Sequence, residues 1–176
     1  MNQIDNQNQS QAQIQAKTQA KTQAQNQTSD QDTGRSPQTQ TIYRILDANL
    51  DRAREGLRVI EEWCRFGLED RQLSAECKDL RQQLAQWHSA EIKAARNTPE
   101  DPGTNQSHAQ EERRLNIESV LSANCSRIQE ALRVLEEYSK LIDPQMAKSF
   151  KQTRYRAYTL ETQINQVSQF NHAPPN

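Results

Sequence analysis

Apolar side chains recur at steps of three and four residues through most of the chain from residue 41 onward, which is the periodicity of an amphipathic α-helix. They form one stripe from Ile45 to Trp63 and an equivalent stripe from Val120 to Tyr138. A further stripe follows each of these, beginning at Leu73 and at Met146. No segment alternates apolar and polar residues over the length of a half-buried strand. The pattern therefore predicts an all-α fold.

An internal repeat organises these helices. The segments Leu46–Phe66 and Leu121–Leu141 are identical at ten of 21 aligned positions. The helices that follow them share a basic pair at the same spacing: Lys78 and Arg81, Lys151 and Arg154. The repeat predicts a four-helix bundle made from a duplicated helix pair with an approximate internal two-fold axis, its halves joined by a polar loop over residues 97–110.

The first 40 residues differ from the rest in composition. They contain thirteen Gln and four Asn, so they cannot bury enough apolar surface to offset the entropy lost on ordering. We expect a disordered Gln/Asn-rich tail over residues 1–40, one helical domain over residues 41–170, and a disordered C-terminus over residues 171–176.

Charge and cysteine content narrow the functional classes. The formal net charge is −1, from 22 Lys and Arg against 23 Asp and Glu, so a general nucleic-acid partner is not expected. No apolar run has the roughly 20 residues that a membrane span needs, and no signal peptide is evident. Cys64, Cys77 and Cys125 stand among apolar residues and predict buried thiols rather than a disulfide or metal site. We expect a soluble, cytoplasmic protein.

Polar residues interrupt the apolar face at equivalent places in both repeats. On a helical wheel Asn49 lies at the centre of the apolar face of the first helix and Arg52 about 60° from it; Asn124 and Arg127 are their copies. Buried polar groups need partners or a cavity. The carboxylates that extend this edge are Glu55 and Glu62, with Glu130 and Glu137 as copies. We predict that these polar groups from both repeats face inward together and form one pocket for an anionic ligand.

The competing interpretation is a buried salt-bridge network that fixes helix register. Arg58 and Arg133 lie on the opposite side of the wheel, and we expect them to be solvated and to pair with neighbours such as Glu62. In the pocket interpretation Arg and Lys bind phosphate, and carboxylates hold Mg²⁺ whose other ligands are water and phosphate.

The joining loop adds Arg96 and the run from Asp101 to Thr104, which reads Asp-Pro-Gly-Thr. Gly103 allows close backbone approach, and Asp101 can serve as a metal ligand or base. An ordinary turn is the alternative. The Gly-rich phosphate loops, the nucleotide-binding fingerprint and the serine-hydrolase elbow are all missing from the sequence.

The runs Ile45–Glu62, Arg96–Thr104 and Ala123–Tyr138 are very similar to the small hydroxymethylpyrimidine-phosphate kinase family. The resemblance covers about residues 42 to 165 of the chain. That family occurs alone or fused ahead of thiamine-phosphate synthase, notably in cyanobacteria, and differs in fold from ribokinase-like enzymes. The resemblance implies phosphorylation of hydroxymethylpyrimidine phosphate to its diphosphate in thiamine biosynthesis, with ATP and Mg²⁺ as cofactors.

Roles for individual residues are hypotheses from their chemistry, and most of these positions match the family's motifs. We assign catalysis to Asp101, Arg52 and Arg127. We assign substrate or nucleotide binding to Asn49, Asn124, Lys78, Arg81, Arg96, Gly103, Arg114, Lys151 and Arg154. We assign Mg²⁺ to Glu55, Glu62, Glu130 and Glu137. Together such a set supplies the positioning and charge neutralisation that phosphoryl transfer requires.

Two other functions compete with the kinase. One is a non-catalytic helical module that docks onto a thiamine-phosphate synthase barrel or forms a homodimer. The other is an all-α nucleoside-triphosphate pyrophosphohydrolase, whose paired E-x-x-E and E-x-x-D motifs are not evident. Because the sequence ends at Asn176, where fused relatives continue into a barrel of about 200 residues, the chain alone is not expected to form thiamine phosphate.

Overall fold

The computed structural model describes residues 36–103 and 113–171, with side chains as far as residue 168. The predictions for residues 1–35 and 172–176, and for Thr104, lie outside the described residues. Five helices occupy the described part: α1 (Pro37–Phe66), α2 (Arg71–Trp87), α3 (Ala90–Ala94), α4 (Ile117–Ser139) and α5 (Pro144–Asn171). No strand occurs between residues 36 and 103 or between 113 and 171. The predicted all-α fold from two helix pairs is therefore confirmed.

Local sequence signals set the helix boundaries. Pro37 begins α1 and Pro144 begins α5, positions where the missing N–H costs nothing. The side chain of Asp70 caps α2 by accepting a hydrogen bond from the backbone N–H of Leu73 at 2.9 Å, and Asn116 caps α4 in the same way. The first helix thus begins at Pro37 rather than at the predicted boundary of residue 41. The five-residue α3 was not predicted, because so short a helix shows no periodicity.

The core lies between α1 and α4, with α2 against α1 and α5 against α4. Gly56 lets the two central helices approach closely: a Cβ there would lie 2.8 Å from Ile128 Cγ1 and 3.3 Å from the carbonyl oxygen of Asn124. The predicted apolar stripes are buried, including Leu46, Leu57 and Phe150. The three cysteines are free and buried, as predicted. No helix in the described ranges combines the length and apolar character needed to cross a membrane.

Each half contains one buried ion pair at repeat-equivalent positions. In the first half Arg81 on α2 is paired with Glu61 on α1. In the second, Arg154 donates from Nε and Nη2 to Glu136 Oε2 at 3.0 and 2.7 Å, and its Nη1 donates to the Tyr158 hydroxyl at 3.0 Å. Both carboxylate side chains are buried. These pairs fix the register of the outer helix on the inner one in each half.

We predict that Arg154→Leu lowers the free energy of unfolding by about 3 kcal/mol, because it leaves the buried Glu136 with only the 3.4 Å contact to the exposed Arg133. The double variant Glu136→Leu/Arg154→Leu is expected to cost clearly less, since no charge is then left buried. Urea unfolding of both variants and the parent measures the difference. Arg133→Leu, which removes an exposed guanidinium from the same cluster, is the matched control. Equal costs for the single and double variants would contradict the assignment.

Candidate functional site

A pocket of about 600 Å³ lies beside the N-terminal half of α1. One wall is formed by residues 41–52 of that helix and the other by residues 96–102, which follow α3. The residues that carry formal charge are Arg44, Asp47, Asp51, Arg52, Arg96 and Asp101. Apolar surface comes from Ile45, Ala48 and Pro102. This mixture of apolar surface and a few polar groups is typical of small-molecule sites.

Asp47 is the buried centre of the wall and is 3% exposed. Arg96 binds it in a fork, from Nε to Oδ2 at 2.7 Å and from Nη2 to Oδ1 at 2.9 Å. His88 Nε2 lies 2.7 Å from the same Oδ1. Burial on its own would raise the pKa of Asp47, but the hydrogen bonds from Arg96 and His88 outweigh it and hold the pKa below its usual value. Asp47 is therefore an ionised carboxylate.

Asp51 stands one turn further along α1 and is shared between several cations. Its carboxylate pairs with Arg96 and with Arg54 at 3.4 Å, and His88 Nδ1 lies 3.6 Å from its Oδ1. About a third of the Asp51 side chain is exposed, against 4% for Asp47. Asp51 can accept a hydrogen bond from a ligand, whereas both oxygens of Asp47 are already used.

The segment after α3 covers the pocket and is tied to α1 at two points. Arg96 holds it through Asp47 and Asp51, and Arg44 Nη2 donates to the carbonyl oxygen of Asn97 at 3.3 Å. Further along, Asp101 Oδ1 accepts from the backbone N–H of Gly103 at 2.9 Å, which is an Asx turn. The predicted alternative of an ordinary turn at Asp-Pro-Gly is thus observed, and Asp101 nevertheless lines the pocket.

Three cations and three carboxylates line the pocket, but they are not equally available. Arg96 is consumed by Asp47 and Asp51, so Arg44 and Arg52 remain as the cations that face the pocket without a carboxylate partner in the described contacts. Guanidinium groups bind phosphate oxygens in a planar fork. The site therefore suits a small molecule that has an anionic group and hydrogen-bond donors for Asp51 and Asp101.

A divalent cation fits this cluster poorly. Among the residues that the structure describes, only Asp47, Asp51 and His88 bring three potential ligand atoms within 4.8 Å of one another. Their negative charge is already neutralised by Arg96 and Arg54, and Mg²⁺ prefers oxygen ligands and retains water. A bound dication would have to displace Arg96.

The structure brings four of the predicted site residues together: Asn49, Arg52, Arg96 and Asp101 all line the pocket. Asn49 is buried, and its Nδ2 donates to the carbonyl oxygen of Ile45 at 2.8 Å. Gly103 lies beside the pocket in the turn but does not line it. Their function remains a prediction.

The prediction that polar groups of both repeats face inward into one pocket is wrong. Arg52, Glu55, Arg127 and Glu130 are exposed, and Arg127 does not line the pocket that contains Asn49. The buried face of α1 is centred near Leu46, which lies about 60° round the helix axis from Asn49. Arg52 thus lies about 120° from that centre, at the rim rather than within the core.

In the second repeat Asn124 is buried like its copy, and its Nδ2 donates to the carbonyl oxygen of Val120 at 2.8 Å. Its Oδ1 has no hydrogen-bond partner among the described residues. Of the basic residues assigned to ligand binding, Arg81 and Arg154 are instead committed to buried carboxylates, as the register-fixing alternative expected. Lys78, Lys151 and Arg114 are exposed and do not line the pocket, whereas Arg96 does.

The four glutamates assigned to Mg²⁺ do not converge. Glu62 pairs with Arg58, and Glu137 pairs with Arg133 at 2.8 Å and with Lys140 at 2.9 Å. Glu55 and Glu130 are exposed on the outer faces of their helices. The prediction of a carboxylate metal site is therefore not supported by this geometry, whereas the predicted solvated positions of Arg58 and Arg133 are confirmed.

Sequence reasoning missed Arg44, Asp47, Asp51 and His88. In the sequence these positions are marked by residues that differ between the two repeats, not by residues that are identical in both. Where the first repeat has Asp47 and Asp51, the second has Ser122 and Ser126. Arg54 and His88 likewise correspond to Gln129 and Glu161, which form a hydrogen bond of 2.6 Å in the second half. Among the residues that the structure describes, this charged cluster is found in the first half and not at the equivalent positions of the second.

The fold and this site define an all-α bundle with a small-molecule pocket in one half. A family model described as the ThiD2 family matches residues 44–163. The chain therefore belongs to the ThiD2 family, which confirms the predicted family membership. No solved structure matches the chain significantly.

Several relatives with high sequence identity are named thiamine-phosphate synthase. The thiamine-phosphate synthase of Nostoc punctiforme is 66% identical over 125 residues, which are 71% of this chain and 36% of that protein. The thiamine-phosphate synthase of Thermosynechococcus vestitus is 60% identical over 131 residues, which are 74% of this chain and 37% of that protein. The chain thus spans little more than a third of the length of these relatives.

We predict that Asp47→Asn lowers the free energy of unfolding by about 2 kcal/mol at pH 7, because Arg96 and His88 lose a charged acceptor. Since the folded-state pKa of Asp47 is depressed, its contribution is present above the ordinary value of about 3.9 and is lost as the pH falls through the folded-state pKa. The difference in the free energy of unfolding between Asp47→Asn and the parent should therefore be smaller at pH 3 than at pH 7. Urea unfolding at both pH values measures it.

The control for this prediction is Asp79→Asn, since Asp79 is an acid whose side chain is 52% exposed. It is expected to change stability little at either pH. A gap between Asp47→Asn and the parent that is unchanged at low pH would contradict the ionised pairing of Asp47.

Proposed function

We propose that this chain is a ThiD2 module of thiamine biosynthesis that accompanies a thiamine-phosphate synthase and binds hydroxymethylpyrimidine phosphate. The names of the relatives support the pathway. The observation that supports the ligand is the pocket beside α1, which Arg44, Arg52, Asp51 and Asp101 line together with apolar surface.

The chemistry of the ligand matches the distribution of charge in the pocket. The phosphate of the pyrimidine compound would lie against Arg44 and Arg52, whose guanidinium groups are not consumed by the Asp47 cluster. The ring would pack on Ile45, Ala48 and Pro102, while its amino group would donate to a carboxylate oxygen. A volume of about 600 Å³ is within the usual range for ligands of this size.

Phosphorylation of that ligand is the second candidate function, and one observation favours it: Asp51 is a partly exposed carboxylate in the same pocket as two available arginines. Phosphoryl transfer depends on positioning and charge neutralisation more than on covalent help from the protein. A non-bridging oxygen of the ligand's phosphate would form a bond to the γ-phosphorus of ATP while the bond from that phosphorus to the β–γ bridging oxygen breaks, so that ADP leaves and the diphosphate forms. A proton carried by the monoanionic phosphate would pass to Asp51. ATP and its Mg²⁺ belong to this second proposal alone.

The internal repeat provides a matched test of the binding site. We predict that Arg52→Ala weakens the binding of hydroxymethylpyrimidine phosphate to the full chain by about tenfold or more, because a charged hydrogen bond to phosphate is lost. Arg127→Ala removes the same side chain at the equivalent position of the second repeat and is expected to leave the affinity unchanged. Isothermal titration calorimetry measures both.

Addition of ATP and Mg²⁺ to the same samples separates the two functions. Formation of the diphosphate, followed by ³¹P NMR, would establish the kinase. Tight binding without turnover would establish the binding module instead. If the folded chain binds no pyrimidine phosphate, or if both arginine variants lose affinity equally, the proposed site is wrong.

A further inference from the structure

His88 is buried at the junction of α2 and α3 and is only 6% exposed. It forms the C-terminal cap of α2, and it does not line the pocket. A buried imidazole needs partners for both ring nitrogens. Its Nε2 lies against Asp47, and its Nδ1 lies against Arg54, with Asp51 Oδ1 beyond hydrogen-bond distance at 3.6 Å; all three partners are on α1.

The partners determine which nitrogen carries the proton in the neutral ring. Asp47 is an ionised acceptor, 2.7 Å from Nε2, so Nε2 carries the hydrogen and donates. Arg54 Nη1 is a donor, 3.4 Å from Nδ1, so Nδ1 accepts. The tautomer is inferred from these contacts, as it must be for any histidine whose hydrogens are assigned from the network.

The hydrogen bond from His88 fixes the plane of the carboxylate that Arg96 binds. Asp47 Oδ1 accepts from both His88 Nε2 and Arg96 Nη2, while Oδ2 accepts from Arg96 Nε. A bidentate Arg–carboxylate pair depends on the two planes being aligned. Arg96 in turn begins the segment of residues 96–102 that forms the second wall of the pocket.

We propose that His88 is a positioning residue of the ligand site: through Asp47 it orients Arg96 and so places the wall formed by residues 96–102 over the bound pyrimidine phosphate. This inference rests on the proposed function, because it concerns the affinity of the same pocket. His88 itself contacts no ligand. Its effect reaches the pocket through two hydrogen bonds in series.

The second repeat contains the equivalent helix pair without the contacts that join His88, Asp47 and Arg96. Glu161 occupies the position equivalent to His88 and is bonded to Gln129 at 2.6 Å. Ser122 replaces Asp47, so no buried carboxylate is available there for an arginine to bind. Glu161 is therefore a matched control: its substitution removes a polar contact between the equivalent helices of the second repeat, α4 and α5, away from the ligand pocket.

The test compares four variants of the full chain by titration with hydroxymethylpyrimidine phosphate. His88→Leu removes the donor to Asp47 and is expected to weaken binding by about tenfold. His88→Gln places an amide N–H near the position of Nε2 and is expected to restore most of the affinity. His88→Asn reaches only the position of Nδ1 and should not restore it. Glu161→Leu is expected to leave the affinity unchanged.

Thermal unfolding of each variant shows whether a loss of affinity merely follows a loss of stability. A general structural role of His88 does not predict that Gln restores the affinity while Asn does not. This comparison can still be measured if His88→Leu fails to fold. If the parent binds and Gln and Asn have equal affinity, or if Glu161→Leu weakens binding as much as the His88 variants, the positioning role is wrong. Failure of the parent to bind would instead reject the proposed function.

Discussion

A carboxylate inside a helix bundle has to be paired, and the way Asp47 is paired determines the shape of the site. Its oxygens accept from His88 and Arg96, which lie 41 and 49 residues further along the chain. An unpaired charge at this place would be costly, because burial removes the hydration that would otherwise stabilise it. The need to satisfy Asp47 therefore brings the end of α2, the short helix α3 and the following segment against α1.

The two halves of the bundle share the residues that hold their helices together but differ in the residues that form the pocket. The features that hold the helices in register are kept in both halves, as shown by the pairs Glu61–Arg81 and Glu136–Arg154. The features that build the charged pocket belong to the first half. The positions of Asp47 and Asp51 are serines in the second repeat. Identity between the repeats therefore marks residues that stabilise the fold, and difference marks residues of the site.

This distinction explains how much the sequence could reveal. Apolar periodicity, prolines and the repeat were sufficient for the helices, because these signals act locally. The helical wheel placed Arg52 in the interior because it took Asn49 as the centre of the buried face. The apolar stripe used for the wheel left out Leu50 and Cys64, which are completely buried.

The partners of Asp47 could not be predicted in the same way. His88 and Arg96 are brought to it by the turn after α2 and by α3, and neither has a periodic signal. Glu61 had a signal that sequence reasoning did not use: it is repeated as Glu136, and the partner helices repeat Arg81 as Arg154. A pair of identical acids opposite a pair of identical bases favours ion pairing within the fold over ligand binding.

The chain belongs to the ThiD2 family and is similar to part of proteins named thiamine-phosphate synthase. The pocket of the first repeat is the feature on which the proposed binding of a phosphorylated small molecule depends. The most direct test is a ¹H–¹⁵N NMR titration of the full chain with hydroxymethylpyrimidine phosphate. The account predicts that backbone amide shifts concentrate in residues 41–52 and 96–102. Shifts concentrated in residues 116–127, or equal in the two repeats, would contradict it.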